Sequence, residues 1–134
     1  MSFDHALELR KQHLIEASAG TGKTHLITTL YLRLILGRGT PGAVAHRVQN
    51  ILVVTFTIAA TQELKNRIRN RIKLAHDAFK HGASKDAEIS GLIAGSAHPE
   101  QDLEYLKRAL LWFDEAKIFT IHGFCARVIQ DTSF

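Results

Sequence analysis

Cysteine, proline and tryptophan are scarce: 134 residues hold one Cys, two Pro and one Trp. The lone Cys125 can close no internal disulfide, which excludes the disulfide-stapled secreted scaffolds and suits a reducing cytoplasm. Nine glycines and two prolines without a period exclude a collagen-like or low-complexity chain. Long hydrophobic runs are lacking as well. The longest are broken at Arg33, Thr55 or Asp114, short of the roughly 20 residues a membrane helix needs, and no membrane association is expected. The opening residues, MSFDHALELRKQ, carry acids and no apolar core, so no signal peptide is expected. Excess charge of one sign is small, net +4, and leans only weakly toward a polyanionic partner.

The rest of the composition, 46% hydrophobic and 22% charged, is that of one ordinary globular domain. Residues 13–18, HLIEAS, predict a short buried strand that enters a turn at AGTG. The apolar spacing of Leu26, Leu30 and Leu34 predicts a helix over 23–36, with Gly37 as its C′ residue. After a loop containing Pro41, ILVVTFT (51–57) is almost wholly apolar, as a strand covered on both faces should be. A helix is expected over 58–79, capped by Thr57, with Ala60, Leu64, Ile68, Ile72 and Phe79 on one face and Glu63–Arg67 as an i,i+4 pair. Residues 81–100 predict a surface excursion with at most one short helical turn. A helix is expected over 101–116, through Leu103, Leu106, Leu110 and Phe113. KIFTI then reads as a third strand, and HGFCARVIQDTSF opens another helix. Strands alternating with helices imply an α/β fold with a parallel sheet.

Ala17-Ser18-Ala19-Gly20-Thr21-Gly22-Lys23-Thr24 is a Walker A pattern with alanine at its first glycine position. Gly20 and Gly22 let the backbone curl so that successive N–H groups face phosphate oxygens. The following helix adds the positive end of its dipole. Lys23 supplies a point charge to the β- and γ-phosphates, and the Thr24 hydroxyl completes the shell of a nucleotide-bound magnesium ion. ATP and Mg2+ are therefore the expected cofactors.

Three stretches in order, LIEASAGTGKT, ILVVTFTIAATQELKNRI and IFTIHGFCARVI, resemble motifs I, Ia and Ib of superfamily 1 DNA helicases. Within that superfamily they are most similar to the exodeoxyribonuclease V beta-subunit (RecB) family, and less close to the UvrD/Rep branch. The resemblance implies that 1–134 is a partial N-terminal RecA-like ATP-binding domain, a three-layer P-loop NTPase fold incomplete in this chain. It implies an ATP-dependent DNA helicase and exonuclease of recombinational double-strand-break repair, translocating on single-stranded DNA in the bacterial cytoplasm. DNA ends and RecC- and RecD-like subunits are the partners it implies. By the same resemblance Phe56 and Thr57 fall where such helicases touch the strand, and Thr120 and His122 fall at the second contacting motif. The residues alone also fit a core Phe56, an N-capping Thr57 and a histidine at a helix start. Lys65, Arg67, Arg69, Arg71 and Lys73 read mainly as a solvated face, and Cys125 as a small buried residue.

ALLWFDEA, 109–116, imitates a Walker B strand that would offer Asp114 to magnesium and Glu115 as base. The helical period through Leu110 and Phe113 argues against it, and the resemblance puts the true Walker B downstream. The chain is then expected to lack the Walker B acids, an arginine finger, a second RecA-like domain and a nuclease domain, and to be inactive alone. Two other readings remain open: a small stand-alone kinase or ATPase using Asp114 and Glu115, and a non-catalytic P-loop interaction domain. Whether 101–116 is helix or strand separates the kinase from the helicase fragment.

Overall fold

A computed structural model describes residues 13–16, 21–38 and 44–132, with side chains over 24–38 and 44–130. The β-branched runs form strands β1 (His13–Glu16), β2 (Ile51–Thr55) and β3 (Lys117–Thr120). They pair in parallel in the order β1-β2-β3, with Ile15 opposite Val53 and Thr55 opposite Thr120. Each link between parallel strands needs a crossover, and helices supply it. Helix α1 (Thr21–Ile35) joins β1 to β2. Helices α2 (Ile58–His81), α3 (Ala87–Ala94) and α4 (Pro99–Leu111) join β2 to β3, and α5 (Ile121–Thr132) follows.

Leu64, Ile68, Ile72, Ala75 and Phe79 of α2 are buried in one stripe, joined by Leu106 and Phe113 from α4 and the turn after it. Helix α1 contributes Leu30, Tyr31, Leu34 and Ile35, and the sheet Ile51, Val53 and Ile118. Gly37 ends α1 at φ 71, where a Cβ would lie 2.7 Å from the Ala45 nitrogen, so only glycine fits without a backbone shift. Arg38 N–H closes that end on the Arg33 carbonyl at 2.8 Å.

Tyr31 is fully buried, and among the described residues its hydroxyl has no hydrogen-bond partner. Burial accordingly pushes the phenol pKa far up. Tyr31→Phe removes a desolvated polar group and little else. It is expected to raise the unfolding free energy by about 1 kcal/mol, read as a higher urea midpoint at unchanged slope.

Three expectations change. Residues 81–100 are mostly exposed, yet they carry an eight-residue helix, not a single turn, and Ile89 on it is fully buried. Asp86 makes the difference: its carboxylate caps α3 by accepting from the Glu88 and Ile89 N–H groups at 3.0 and 3.2 Å. The helix expected over 101–116 runs Pro99–Leu111, and Phe113–Glu115 form a separate 3-10 turn. Cys125 is exposed, because α5 packs along the ends of β3 and β2 and no described element covers its outer side.

Candidate nucleotide and nucleic-acid site

Because the three strands are parallel, their C-terminal ends, Glu16, Thr55 and Thr120, share one edge of the sheet. Three helices begin just beyond it: α1 at Thr21, α2 at Ile58 and α5 at Ile121. Each brings the positive end of its dipole to that edge. Open parallel sheets bind ligands there.

Ala17, Ser18, Ala19 and Gly20 lie outside the described residues. Their neighbours bracket them tightly, with β1 ending at Glu16 and α1 starting at Thr21. Thr21, Gly22, Lys23 and Thr24 form the first turn of α1, the positive end of its dipole. A strand that ends at Glu16 and a helix that begins at Thr21, with four residues between them, fit a nucleotide phosphate.

Phe56 and Thr57 follow β2 directly. Phe56 is not core: its side chain stands 58% exposed beside the still more exposed Ile58. Thr57 does cap α2, its hydroxyl accepting the Ala60 N–H at 3.0 Å. Thr120 does the same for α5, accepting from Gly123 N–H at 3.0 Å. An accepting hydroxyl keeps its own proton, so a capping threonine is also equipped to donate to a phosphate oxygen. The capping and contacting readings of Thr57 are thus compatible. Beneath them Thr55 is fully buried, hydrogen-bonded to the Thr61 hydroxyl and donating to the Thr57 carbonyl at 3.2 Å, which ties the β2 end to α2. His122 is exposed on the first turn of α5. Phe56, Thr57, Thr120 and His122 therefore gather at one edge.

Asp114 and Glu115 do not join them. They sit on the 3-10 turn before β3, at the N-terminal edge of the sheet and opposite the edge where α1 begins. Glu115 accepts there from the Gln49 amide at 3.2 Å, and both acids are exposed. A Walker B acid would have to reach a nucleotide at the C-terminal edge, so neither residue can serve as one in this arrangement.

Comparison with known proteins matches this geometry. Residues 3–134 match the family described as UvrD/REP helicase N-terminal domain. The chain belongs to that family. It is 43% identical over 130 residues to the RecBCD enzyme subunit RecB of Escherichia coli K12, covering 96% of this chain and 11% of that protein. The RecB subunit of Haemophilus influenzae is 43% identical over 136 residues, and that of Chlamydia trachomatis 39% over 130. The chain thus spans only 11–12% of the length of these relatives. The UvrD-type helicase domain is a P-loop NTPase fold, in accord with the parallel sheet and with α1 beginning just after β1. Among the described residues no helix is long and apolar enough to cross a membrane.

Within this helicase domain the basic residues of α2 separate into different roles. Arg67 pairs with Glu63 at 2.9 Å, both exposed, worth a few tenths of a kcal/mol at most. Arg69 lies over the Phe113 ring at 5.7 Å. Arg71 is not part of a solvated face. Its side chain is 12% exposed, and its guanidinium grips Asp86 with two hydrogen bonds, of 2.6 and 3.0 Å, and Glu88 at 2.9 Å. Glu88 in turn accepts from Thr29 at 2.8 Å and contacts His25 Nε2 at 2.8 Å. Asp86 followed by Glu88, ahead of the apolar Ile89, is a helix-start signal for α3 in the sequence, while the partners of this network, up to 63 positions away, leave none.

Arg71 hydrogen bonding holds the Asp86 carboxyl down at about 2, against the ordinary 3.8. The folded value lies below the unfolded one, so folding favours the ionised form. Its contribution is complete above about pH 4 and is lost as pH falls toward about 2. Asp86→Asn is expected to flatten the acid side of the stability curve over that window, measured by urea unfolding from pH 5 to 2.

Proposed function

We propose that the chain is the ATP-binding part of an ATP-dependent DNA helicase subunit that moves along single-stranded DNA. Magnesium nucleotide would be held by Ala17 to Thr24, with Lys23 on the β- and γ-phosphates and Thr24 on the metal. Hydrolysis of the bound ATP supplies the free energy for movement. Phe56 offers a face for base stacking, and Thr57, Thr120 and His122 offer donors to backbone phosphates, which hold a strand without reading its sequence.

The observation that supports this most is the shared edge. The exposed Phe56, two capping hydroxyls and the N-termini of three helices, among them the α1 turn that begins at Thr21, all lie on it. A ligand there can be sensed by both sites through β2 and Thr55. The relatives are named as subunits of the RecBCD enzyme, and the same setting is proposed here: RecC- and RecD-like partners, DNA ends, double-strand-break repair and the bacterial cytoplasm. The kinase reading loses its support, since 101–116 is helix and a 3-10 turn, with no strand.

The test is single-stranded DNA binding by fluorescence anisotropy, with and without a magnesium ATP analogue. Phe56→Ala is expected to weaken binding by about 1–3 kcal/mol, roughly 5- to 150-fold in Kd. Its stability should be unchanged, because the ring is exposed. An unchanged Kd would remove Phe56 from the interface; failure of the unsubstituted chain to bind would overturn the DNA half of the proposal.

A further inference from the structure

The most densely bonded polar cluster among the described residues lies off the sheet edge and joins three helices. Arg71 of α2 is its hub. Asp86 and Glu88, on the first turn of α3 and its cap, are its arms. Glu88 extends the cluster to α1, where its two oxygens meet His25 and Thr29, each at 2.8 Å. His25 follows Thr24 directly, and Thr29 lies one turn on along the same face of α1. The far end of α1 is held as well. Arg38 donates to the Leu92 carbonyl and to Asp102, and Asp102 also accepts from Ser96 at 2.6 Å. The segment 84–102 therefore runs alongside α1 and is bonded to both of its ends.

This arrangement does more than add stability. Burial alone would raise the Glu88 carboxyl, yet bonds from His25 and Thr29 and the Arg71 charge keep it below its ordinary value. The side chain is held ionised and fixed at 42% exposure, where a lone glutamate would rotate freely. A fixed anchor on α1 limits how far its first turn can shift, and that turn carries Lys23 and Thr24.

We propose that Glu88, held by Arg71, is a positioning residue for the phosphate loop: through His25 and Thr29 it fixes the first turns of α1 and so raises nucleotide affinity. This rests on the nucleotide-binding reading above. The part of the chain without a motif of its own thereby acquires a role in the motor site.

The test measures the Kd of a fluorescent magnesium ATP analogue on the 134-residue chain, beside thermal unfolding without nucleotide. Glu88→Ala is expected to weaken nucleotide binding about fivefold or more. Glu88→Gln should restore most of it, since an amide can still accept from Thr29 and donate to His25. Thr29→Val, which breaks the link from the α1 side, should weaken binding too, and less than additively when combined with Glu88→Ala. Ala109→Gly on α4 lowers helix stability by about 1 kcal/mol and should leave the Kd untouched, which separates positioning from general destabilisation. Should Glu88→Ala not fold, Thr29→Val carries the test alone. Unchanged Kd in Glu88→Ala and Thr29→Val, with binding still lost in Lys23→Ala, would overturn the positioning role alone. No binding by the unsubstituted chain, or full binding by Lys23→Ala, would overturn the nucleotide reading and this inference with it.

Discussion

Ile68→Ala is expected to lower the unfolding free energy by about 2–5 kcal/mol. Ile68 is 1% exposed and lies mid-way along α2, the helix that packs on α4, α1 and the sheet. Removing its outer carbons forfeits apolar burial and leaves a cavity that α2 cannot close, because the Arg71 network and the Thr57 cap hold the helix in place. A domain of this size has a total margin of about 5–15 kcal/mol, so the loss is a large share of it. Urea unfolding at neutral pH checks this. A change under 1 kcal/mol would mean that the α2–α4 seam is loose enough to refill the space. Leu111, on the outer side of α4 and largely exposed, supplies the contrast: Leu111→Ala should change stability little.

Lys23→Ala is expected to separate stability from function. A lysine in the first turn of α1 faces the positive end of the helix dipole, and that turn contains no acidic residue. Its removal relieves that repulsion and introduces the best helix former. Without nucleotide the variant should be equally stable or a few tenths of a kcal/mol more stable. Nucleotide binding should move the other way. A charge-assisted contact to phosphate is worth about 1.5–3 kcal/mol, or roughly 10- to 150-fold in Kd. Isothermal titration with magnesium nucleotide, paired with unfolding of the free protein, reads both signs. Loss of stability together with binding would make Lys23 a structural residue and contradict its assignment to phosphate.

The parts of the fold and site that were legible in the sequence share one property: their cause is local. The β2 run ILVVT, the stripe Leu64–Ile68–Ile72 and the capping Thr57 each follow from a period or a cap within a few residues. Gly37 announced the end of α1 because a left-handed position favours glycine. The Walker A pattern was legible because phosphate binding needs small residues, a lysine and a hydroxyl in one short order. ALLWFDEA could be rejected as a Walker B strand on its helical period together with the family resemblance.

What could not be read depends on partners distant in sequence. Residues 84–102 show no motif, and their structure comes from Arg71, Arg38, His25 and Thr29, up to 64 positions away. Cys125 was expected to be buried because no general base stands beside it at a recognisable spacing, but exposure depends on what covers a helix, which no local pattern states.

By itself the sequence determined the three strands, the helices after β1, β2 and β3 and the Thr57 cap, because hydrophobic period and capping act over a turn or two of chain. The tertiary structure alone decided that Phe56 stays out of the core, that Asp114 and Glu115 face the wrong edge, and that Glu88 reaches the helix carrying Lys23. Those outcomes follow from the parallel sheet: it sends every strand's C-terminal end to one edge, and each long crossover brings side chains together that the sequence keeps far apart.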